Sequence, residues 1–479
     1  MSRAVDQSGT ASGQGAVAGA ASTASINCVN ASCGARYGLD ERVVVCARCG
    51  GLLEVELGPA PAAAGTSLPH LWAQRRMSDL PEDTSGVWRF REMLPIGAQQ
   101  PLVTLREGNT PLYEAPRAAI YCGLDQLWLK HQGANPTGSF KDTGMTAAVT
   151  HAVRLGSKAM ACASTGNTAA SLAAYAARAG VRAVILVPRG QVSSAKLGQS
   201  MDYGAAVLEL EGNFDAAMRV VRELAEDGSL YLVNSLNPMR VEGQKTVSFE
   251  MMEQRAWRVP DHVVVPGGNL GNISALGKGF IEMRRWGLID RLPRYTVVQA
   301  EGAAPFARLV AELAGNPKAT IVPIAEPRTL ATAIRIGAPV SWQRGLRVLA
   351  ETNGMALTVT EQEIADAKAM IGRDGIGCEP ASATTVAGIR RLVADGRIRK
   401  NESVVAVLTG HLLKDTDYTA KYHTGQLKEP ESAPGSGYGP GDPARPIAGA
   451  FANPPARVPA TRDGILDYLK RSTSESRPR

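Results

Sequence analysis

The chain has 479 residues, more than one ordinary domain holds, so two or more folding units are expected. Hydrophobic residues make up 44% and charged residues 20%, a globular balance that excludes wholesale disorder. No apolar run approaches the roughly 20 residues of a membrane helix, and a net charge of +7 without a dense Lys/Arg tract suits anionic small molecules better than nucleic acid.

Residues 1–26 are Ala/Ser/Gly-rich, with one Arg and no apolar stretch of signal-peptide type, and are expected to be a disordered extension rather than a transit peptide. The seven cysteines, an odd count without a secretory signal, argue for a reducing compartment, with the cytoplasm as the expected location. Four of them fall in residues 27–58. Cys28 and Cys33 form one pair, Cys46 and Cys49 a second, and a glycine follows Cys33 and Cys49. The pattern predicts a zinc-ribbon-like module with four thiolates around a structural zinc ion. A reduced, metal-free relic is the alternative, and a redox pair lacks its usual βα context. Cys122, Cys162 and Cys378 are scattered and read as buried packing residues.

From about residue 60 to 423, short β-branched runs alternate with Ala-rich stretches. Ala183–Pro188, His262–Pro266, Thr296–Ala300 and Val404–Thr409 read as buried parallel strands, and Asn167–Gly180, Asn213–Asp227 and Asn272–Gly287 as helices. An α/β architecture follows. Residues 424–479 carry nine of the 29 prolines, which argues for a largely irregular tail without a core of its own until DGILDYLKR near the end.

Four segments carry candidate chemistry. In NPTGSFKDTG (Asn135–Gly144), Lys141 enters a helix in its first turn, where the helix dipole and burial would depress its pKa and make its amine a nucleophile suited to a Schiff base. The bland alternative is a surface lysine beside Asp142. In STGNTAAS, Ser164, Thr165, Asn167 and Thr168 open an Ala-rich helix as a site for a carboxylate, or merely cap it. PGGNLGN (Pro266–Asn272) lies between a strand and a helix, as a phosphate-cradling turn does, although a structural tight turn has the same form. In VNSLNPMRVEGQKT, Ser235, Asn237, Arg240 and Lys245 crowd donors that suit a second phosphate or simply line a solvated loop. Thr409, at the end of the strand VVAVL, points into the crevice where α/β sheets bind ligands.

Six segments in this order, GNTPL, NPTGSFKD, STGNTAAS, NSLNPMRVEGQKT, GGNLGN and LTGHLLKD, resemble the threonine synthase family over roughly residues 100–415. The first three recur across the tryptophan-synthase-β type of pyridoxal-phosphate enzyme (fold type II), and NSLNPMRVEGQKT narrows the choice. The resemblance implies a large cofactor-binding domain from 59–134 and 236–423, a small α/β domain from 135–235, and a homodimer. It implies that Lys141 forms the imine with pyridoxal 5'-phosphate, that Asn167 bonds the ring hydroxyl, that Gly268, Asn269, Leu270, Gly271 and Asn272 cradle the cofactor phosphate, and that Thr409 meets the ring nitrogen. Ser164, Thr165 and Thr168 would hold the substrate carboxylate, and Ser235, Asn237, Arg240 and Lys245 the phosphate of O-phospho-L-homoserine. The implied reaction is a lyase conversion of that substrate and water to L-threonine and phosphate. A neutral hydroxyl at Thr409 is expected to leave the ring nitrogen unprotonated. Two positions depart from the family: Thr143 replaces the Arg of FKDRG, and Gln132 an acidic residue.

The competing expectations are a sister enzyme, either a threonine or serine dehydratase or a cysteate-type synthase, and, from another class, a catalytically silent ligand- or nucleic-acid-binding protein. The donors around Arg240 favour a phosphorylated substrate, and an intact Lys141 argues against silence.

Overall fold

Runs such as VVV and VVAV have no polar position to turn toward water, so they are stable only where a sheet is covered on both faces. In the computed structural model His262–Pro266 and Val404–Leu408 are buried at every residue and pair with each other at the centre of the larger sheet. The structure describes residues 24–62, 64–96, 101–188, 194–211, 220, 223–225, 228–430 and 444–475.

In chain order the strands are β1 (Ser25–Cys28), β2 (Arg36–Tyr37), β3 (Leu53–Glu56), β4 (Leu112–Glu114), β5 (Leu127–His131), β6 (Ala159–Ala163), β7 (Arg182–Pro188), β8 (Ala206–Leu210), β9 (Tyr231–Leu232), β10 (His262–Pro266), β11 (Arg294–Ala300), β12 (Met355–Val359) and β13 (Val404–Leu408). They form three sheets. The larger sheet has the order β12-β11-β10-β13-β5-β4, parallel except for the antiparallel edge strand β4. The smaller one, β8-β7-β6-β9, is wholly parallel. All its strands come from residues 159–232, and those of the larger sheet from 112–131 and 262–408. This is the α/β, parallel-rich architecture that the residue pattern predicts.

The helices Asn167–Ala179, Lys141–Arg154, Pro238–Gln254 and Gly271–Arg285 pack side by side in that spatial order as a layer joining the two sheets. The first ends at Gly180, whose φ of 67° closes the helix with a left-handed residue. The expected helix Asn213–Asp227 lies largely outside the described residues, as do residues 1–23 of the N-terminal extension.

The third sheet, β2-β1-β3, is antiparallel and brings the four N-terminal cysteines together. It straddles the two parallel-rich sheets. Lys278 donates to the Val55 carbonyl, and Arg347 pairs with Glu54 at 2.6 Å, on the side of the larger sheet. Arg42 donates to the carbonyls of Gly228 (3.0 Å) and Leu155 (2.5 Å), and His151 Nε2 lies 2.7 Å from Leu39 O, on the side of the smaller one.

Part of the irregular tail packs against the rest of the chain. Residues 444–452 are not free of the core: Ile447 is buried among Tyr418, Tyr422, Leu427 and Ala365, and Phe451 meets Tyr121 edge to face. A single aliphatic residue among prolines carries no periodic signal, so its docking could not be read locally. The terminal helix Arg462–Glu475 follows, with Ile465 and Leu469 exposed.

Candidate active site

The parallel register sets Val264 against Ala406, so β10 and β13 end side by side, about 5 Å apart as neighbouring strands are. The loops that follow, Gly267–Asn272 and Thr409–His411, therefore share one crevice at the carboxyl ends of the strands, the usual ligand position in such sheets. The NPTGSFKD loop is laced to the second of them. Phe140 N donates to Thr409 O at 2.8 Å, and His411 N donates to Gly138 O at 2.9 Å.

Lys141 is the first residue of its helix. Its Nζ lies 4.2 Å from the centre of the Phe140 ring. Burial, reinforced by the nearby Arg240 charge and only partly opposed by Glu379, pulls the amine down to about 7. A substantial fraction is then unprotonated near neutrality, as a nucleophilic lysine requires. The surface-lysine alternative fails on Asp142, which is fully buried and accepts from Thr137 N (2.7 Å), Thr137 Oγ1 (2.6 Å) and Ser171 Oγ (2.6 Å) instead of facing the amine. Burial pushes its carboxyl up to about 6.

The glycine-rich turn has the form of an anion cradle. Leu270 is held at φ 62° and ψ 11°, a conformation a leucine rarely adopts, and caps the helix Gly271–Arg285. Strain of this kind persists where the surroundings demand it. Around Gly271 a Cβ would meet nothing within 4 Å, so the turn opens outward there, whereas Gly268 abuts Ile334 at 3.3 Å. Asn272 is buried, yet neither its amide nitrogen nor its oxygen finds a partner. A buried amide left open on both sides is costly without a ligand.

At the mouth of the smaller sheet, Ser164, Thr165, Asn167 and Thr168 are all partly accessible around the start of the Asn167–Ala179 helix. Arg240 is 2% exposed; Nη1 donates to Val233 O at 3.1 Å, while Nε and Nη2 have no partner. Burial lowers its pKa to about 10, which leaves it charged at neutral pH. Ser235, also partly accessible, lies just before the helix that carries it.

Two expected phosphate ligands are committed elsewhere. Lys245 is fully buried and pairs with Glu242 (2.5 Å) and Glu282 (2.6 Å), in a cluster that Lys278 completes. Asn237, also fully buried, caps its helix by accepting from Met239 N at 2.9 Å and donates to Leu232 O at 2.9 Å. Both side chains hold the fold, so the structure does not bring them to the crevice. Of the two departures, Thr143 is buried and donates to Phe140 O at 3.0 Å, and Gln132 is buried with both amide atoms unpartnered, a choice that nothing in the structure explains.

Sequence reasoning missed Glu379 and Ser382. Glu379 is buried and accepts from Thr409 Oγ1 (2.9 Å) and from Asn167 Nδ2 (3.1 Å). Ser382 Oγ lies 3.1 Å from Thr409 Oγ1. The only local signal was an acidic residue before Pro380, which reads as an ordinary helix start. Among the described residues, the groups that the sequence placed at the cofactor are thus an amine, a cradle of open amides and a hydroxyl. They match a phosphorylated aldehyde: the amine can form the imine, and the orphaned donors can take the phosphate.

Residues 103–410 match the model of the pyridoxal-phosphate dependent enzyme family. The chain is 45% identical over 386 residues to the threonine synthase of Methanocaldococcus jannaschii, covering 80% of this chain and 92% of that protein. To the threonine synthase of Methanosarcina acetivorans it is 45% identical over 384 residues, covering 80% and 91%. The solved structure of threonine synthase from Escherichia coli superposes with a TM-score of 0.59 at 18% identity, covering 80% of this chain and 88% of that one, a likeness of fold. The chain belongs to the pyridoxal-phosphate dependent enzymes and, among them, to the threonine synthases.

Proposed function

We propose that this chain converts O-phospho-L-homoserine and water to L-threonine and phosphate, with Lys141 carrying the cofactor. The observation that supports this most is a buried Arg240 with two open nitrogens near a Lys141 amine whose pKa is depressed. Such groups are expensive unless a ligand completes them. Bound pyridoxal phosphate supplies an electrophilic aldehyde and an electron sink for carbanionic chemistry. Gly268, Asn269, Leu270, Gly271 and Asn272 would hold its phosphate, Asn167 its ring hydroxyl and Thr409 its ring nitrogen.

The chain's own residues then account for substrate choice. Ser164, Thr165 and Thr168 take the substrate carboxylate at the helix start, where open amides and the helix dipole favour an anion. Arg240 and Ser235 take the ester phosphate, so the two ends of the substrate are held and its carbon chain is oriented. Lys141, once free of the aldehyde, holds or releases a proton at Nζ near neutral pH and serves as general base. The buried surroundings limit premature hydrolysis. Phosphate release from O-phospho-L-homoserine with equal formation of threonine tests this reading; ketoacid formation from threonine without phosphate release would replace it with a dehydratase.

The N-terminal module is read as a zinc ribbon. The four Sγ atoms lie within 4.8 Å of one another, with Cys28–Cys49 at 3.5 Å and Cys33–Cys46 at 3.6 Å, close to the separation of about 3.8 Å that tetrahedral Zn–S bonds of about 2.3 Å demand. Gly34 and Gly50 adopt φ of 62° and 69°, which turns the chain tightly after each cysteine pair. The division into a large unit (59–134 and 236–423) and a small one (135–235), a homodimer and a cytoplasmic location belong to the same reading; seven unbridged cysteines support a reducing compartment.

A further inference from the structure

Behind the NPTGSFKD turn lies a cavity of about 320 Å³. Leu105, Pro136 and Ala174 give it apolar walls, and Thr137, Arg178 and Tyr203 complete the lining. None of these residues is among those given to the cofactor or the substrate above. The space falls in the range of about 300–1,000 Å³ in which proteins hold small molecules. It is also distant from the mouth of the crevice. Ala174 and Arg178 stand on the second half of the helix Asn167–Ala179, about 10 and 16 Å along from its start at a rise of about 1.5 Å per residue.

Two residues of the lining carry donors that the fold leaves over. Arg178 engages only Nε, with Thr104 O at 3.3 Å, and its Nη1 and Nη2 have neither an acceptor nor a carboxylate among the described residues. The acid nearby in sequence, Glu107, is buried, and its oxygens already accept from Ser85 Oγ (2.6 Å), Tyr175 OH (2.8 Å), Thr104 Oγ1 (3.1 Å) and Leu105 N (3.1 Å). Tyr203 OH accepts from Gln199 Nε2 at 3.2 Å, and its own proton has no acceptor among the described residues. A guanidinium fork and a phenol proton beside apolar walls complement one chemical class, a small carboxylate on an apolar body. A neutral apolar molecule would leave both donors open, and a phosphate would meet a single cation and three apolar side chains.

We propose that this cavity is a second ligand site, which takes a small monocarboxylate with an apolar body. Arg178 and Tyr203 hold the carboxylate, and Leu105, Pro136 and Ala174 cover the body. The site does not depend on the substrate assigned above. It is nevertheless tied to the crevice through Gln199, which donates to Thr137 O at 3.3 Å and accepts from Lys414 Nζ, on the loop after β13, at 2.6 Å. Thr137 in turn holds Asp142, next to Lys141, through its N at 2.7 Å and its Oγ1 at 2.6 Å. An occupant therefore touches the back of the lysine turn without entering the crevice.

The test is calorimetric titration of the holoenzyme with phenylacetate and with isovalerate, each compared with its uncharged amide. Saturable binding of at least one carboxylate is expected, roughly tenfold tighter than its amide, as a charge-assisted contact with a water-exposed arginine gives. Arg178→Gln should abolish that preference, so that acid and amide bind alike. Ala174→Met, which fills the cavity, should weaken both. Arg240→Ala, which alters the crevice, should leave both affinities unchanged. Absence of saturable binding by either carboxylate overturns the proposal, and so does equal affinity for acid and amide in the wild type. Both results come from the unaltered protein, so the proposal stays decidable even if a variant does not fold. Binding that is lost in Arg240→Ala and kept in Arg178→Gln puts the probe in the crevice and overturns it as well.

Discussion

One helix, Pro238–Gln254, carries two buried cations with opposite fates. Lys245 is saturated by Glu242 and Glu282, whereas Arg240 near the start of the same helix keeps two nitrogens open. Burying a charge costs several kcal/mol, and pairing it recovers that cost only when the geometry is good. The paired cluster therefore holds helices together, while the open nitrogens of Arg240 are the ones that the proposed function gives to a ligand. Residue type alone does not distinguish the two: an arginine and a lysine in one basic segment look alike until their partners are known.

The largest expected effect separates the site from the scaffold. Lys141→Ala should lower turnover by at least about 10³-fold while the fold survives, measured as kcat alongside the thermal midpoint. Removal of one partner from the paired cluster should do the reverse. Glu242→Ala leaves two buried lysines, Lys245 and Lys278, to share Glu282, and is expected to cost about 3–5 kcal/mol in denaturant unfolding. Its folded fraction should keep near-normal KM for the phosphorylated substrate.

A smaller effect is expected from the titration of Lys141. Its folded pKa of about 7 lies below the ordinary lysine value, so between pH 7 and about 10 the unfolded chain binds the extra proton. The cofactor-free protein should therefore gain stability as pH rises through that window and lose it as pH falls toward 7. Lys141→Ala should flatten this slope, read as the midpoint of urea unfolding at several pH values. The smallest effect concerns the N-terminal module: a zinc chelator should lower the thermal midpoint by a few degrees without abolishing turnover, since the ribbon clamps both sheets from outside the crevice.

Much of the fold was legible because buried parallel strands have no polar alternation to hide. His262–Pro266 appears with the expected limits, and Ala183–Pro188 and Thr296–Ala300 extend only at their starts. The candidate site loops stand out for a related reason: a turn that can present backbone amides to an anion needs glycine and small polar residues side by side, and GGNLGN and STGNTAAS show that composition in a short window. What could not be read depended on distance along the chain. Glu379 meets Thr409 across a helix and a strand, Lys245 finds Glu282 on another helix, and Ile447 reaches Tyr418 past a proline-rich stretch. In each case the local pattern fits an ordinary helix start, a basic loop or a tail, and only the tertiary partner decides.

The central claim is that Arg240 is left unpaired so that an ester phosphate can complete it. Its most direct test compares kcat/KM for O-phospho-L-homoserine with that for unphosphorylated homoserine in the wild type and in Arg240→Ala. The account predicts that the variant loses roughly 10- to 100-fold on the phosphorylated substrate alone, with a thermal midpoint equal to or above that of the wild type. An unchanged preference for the phosphorylated substrate in a folded Arg240→Ala protein would contradict it.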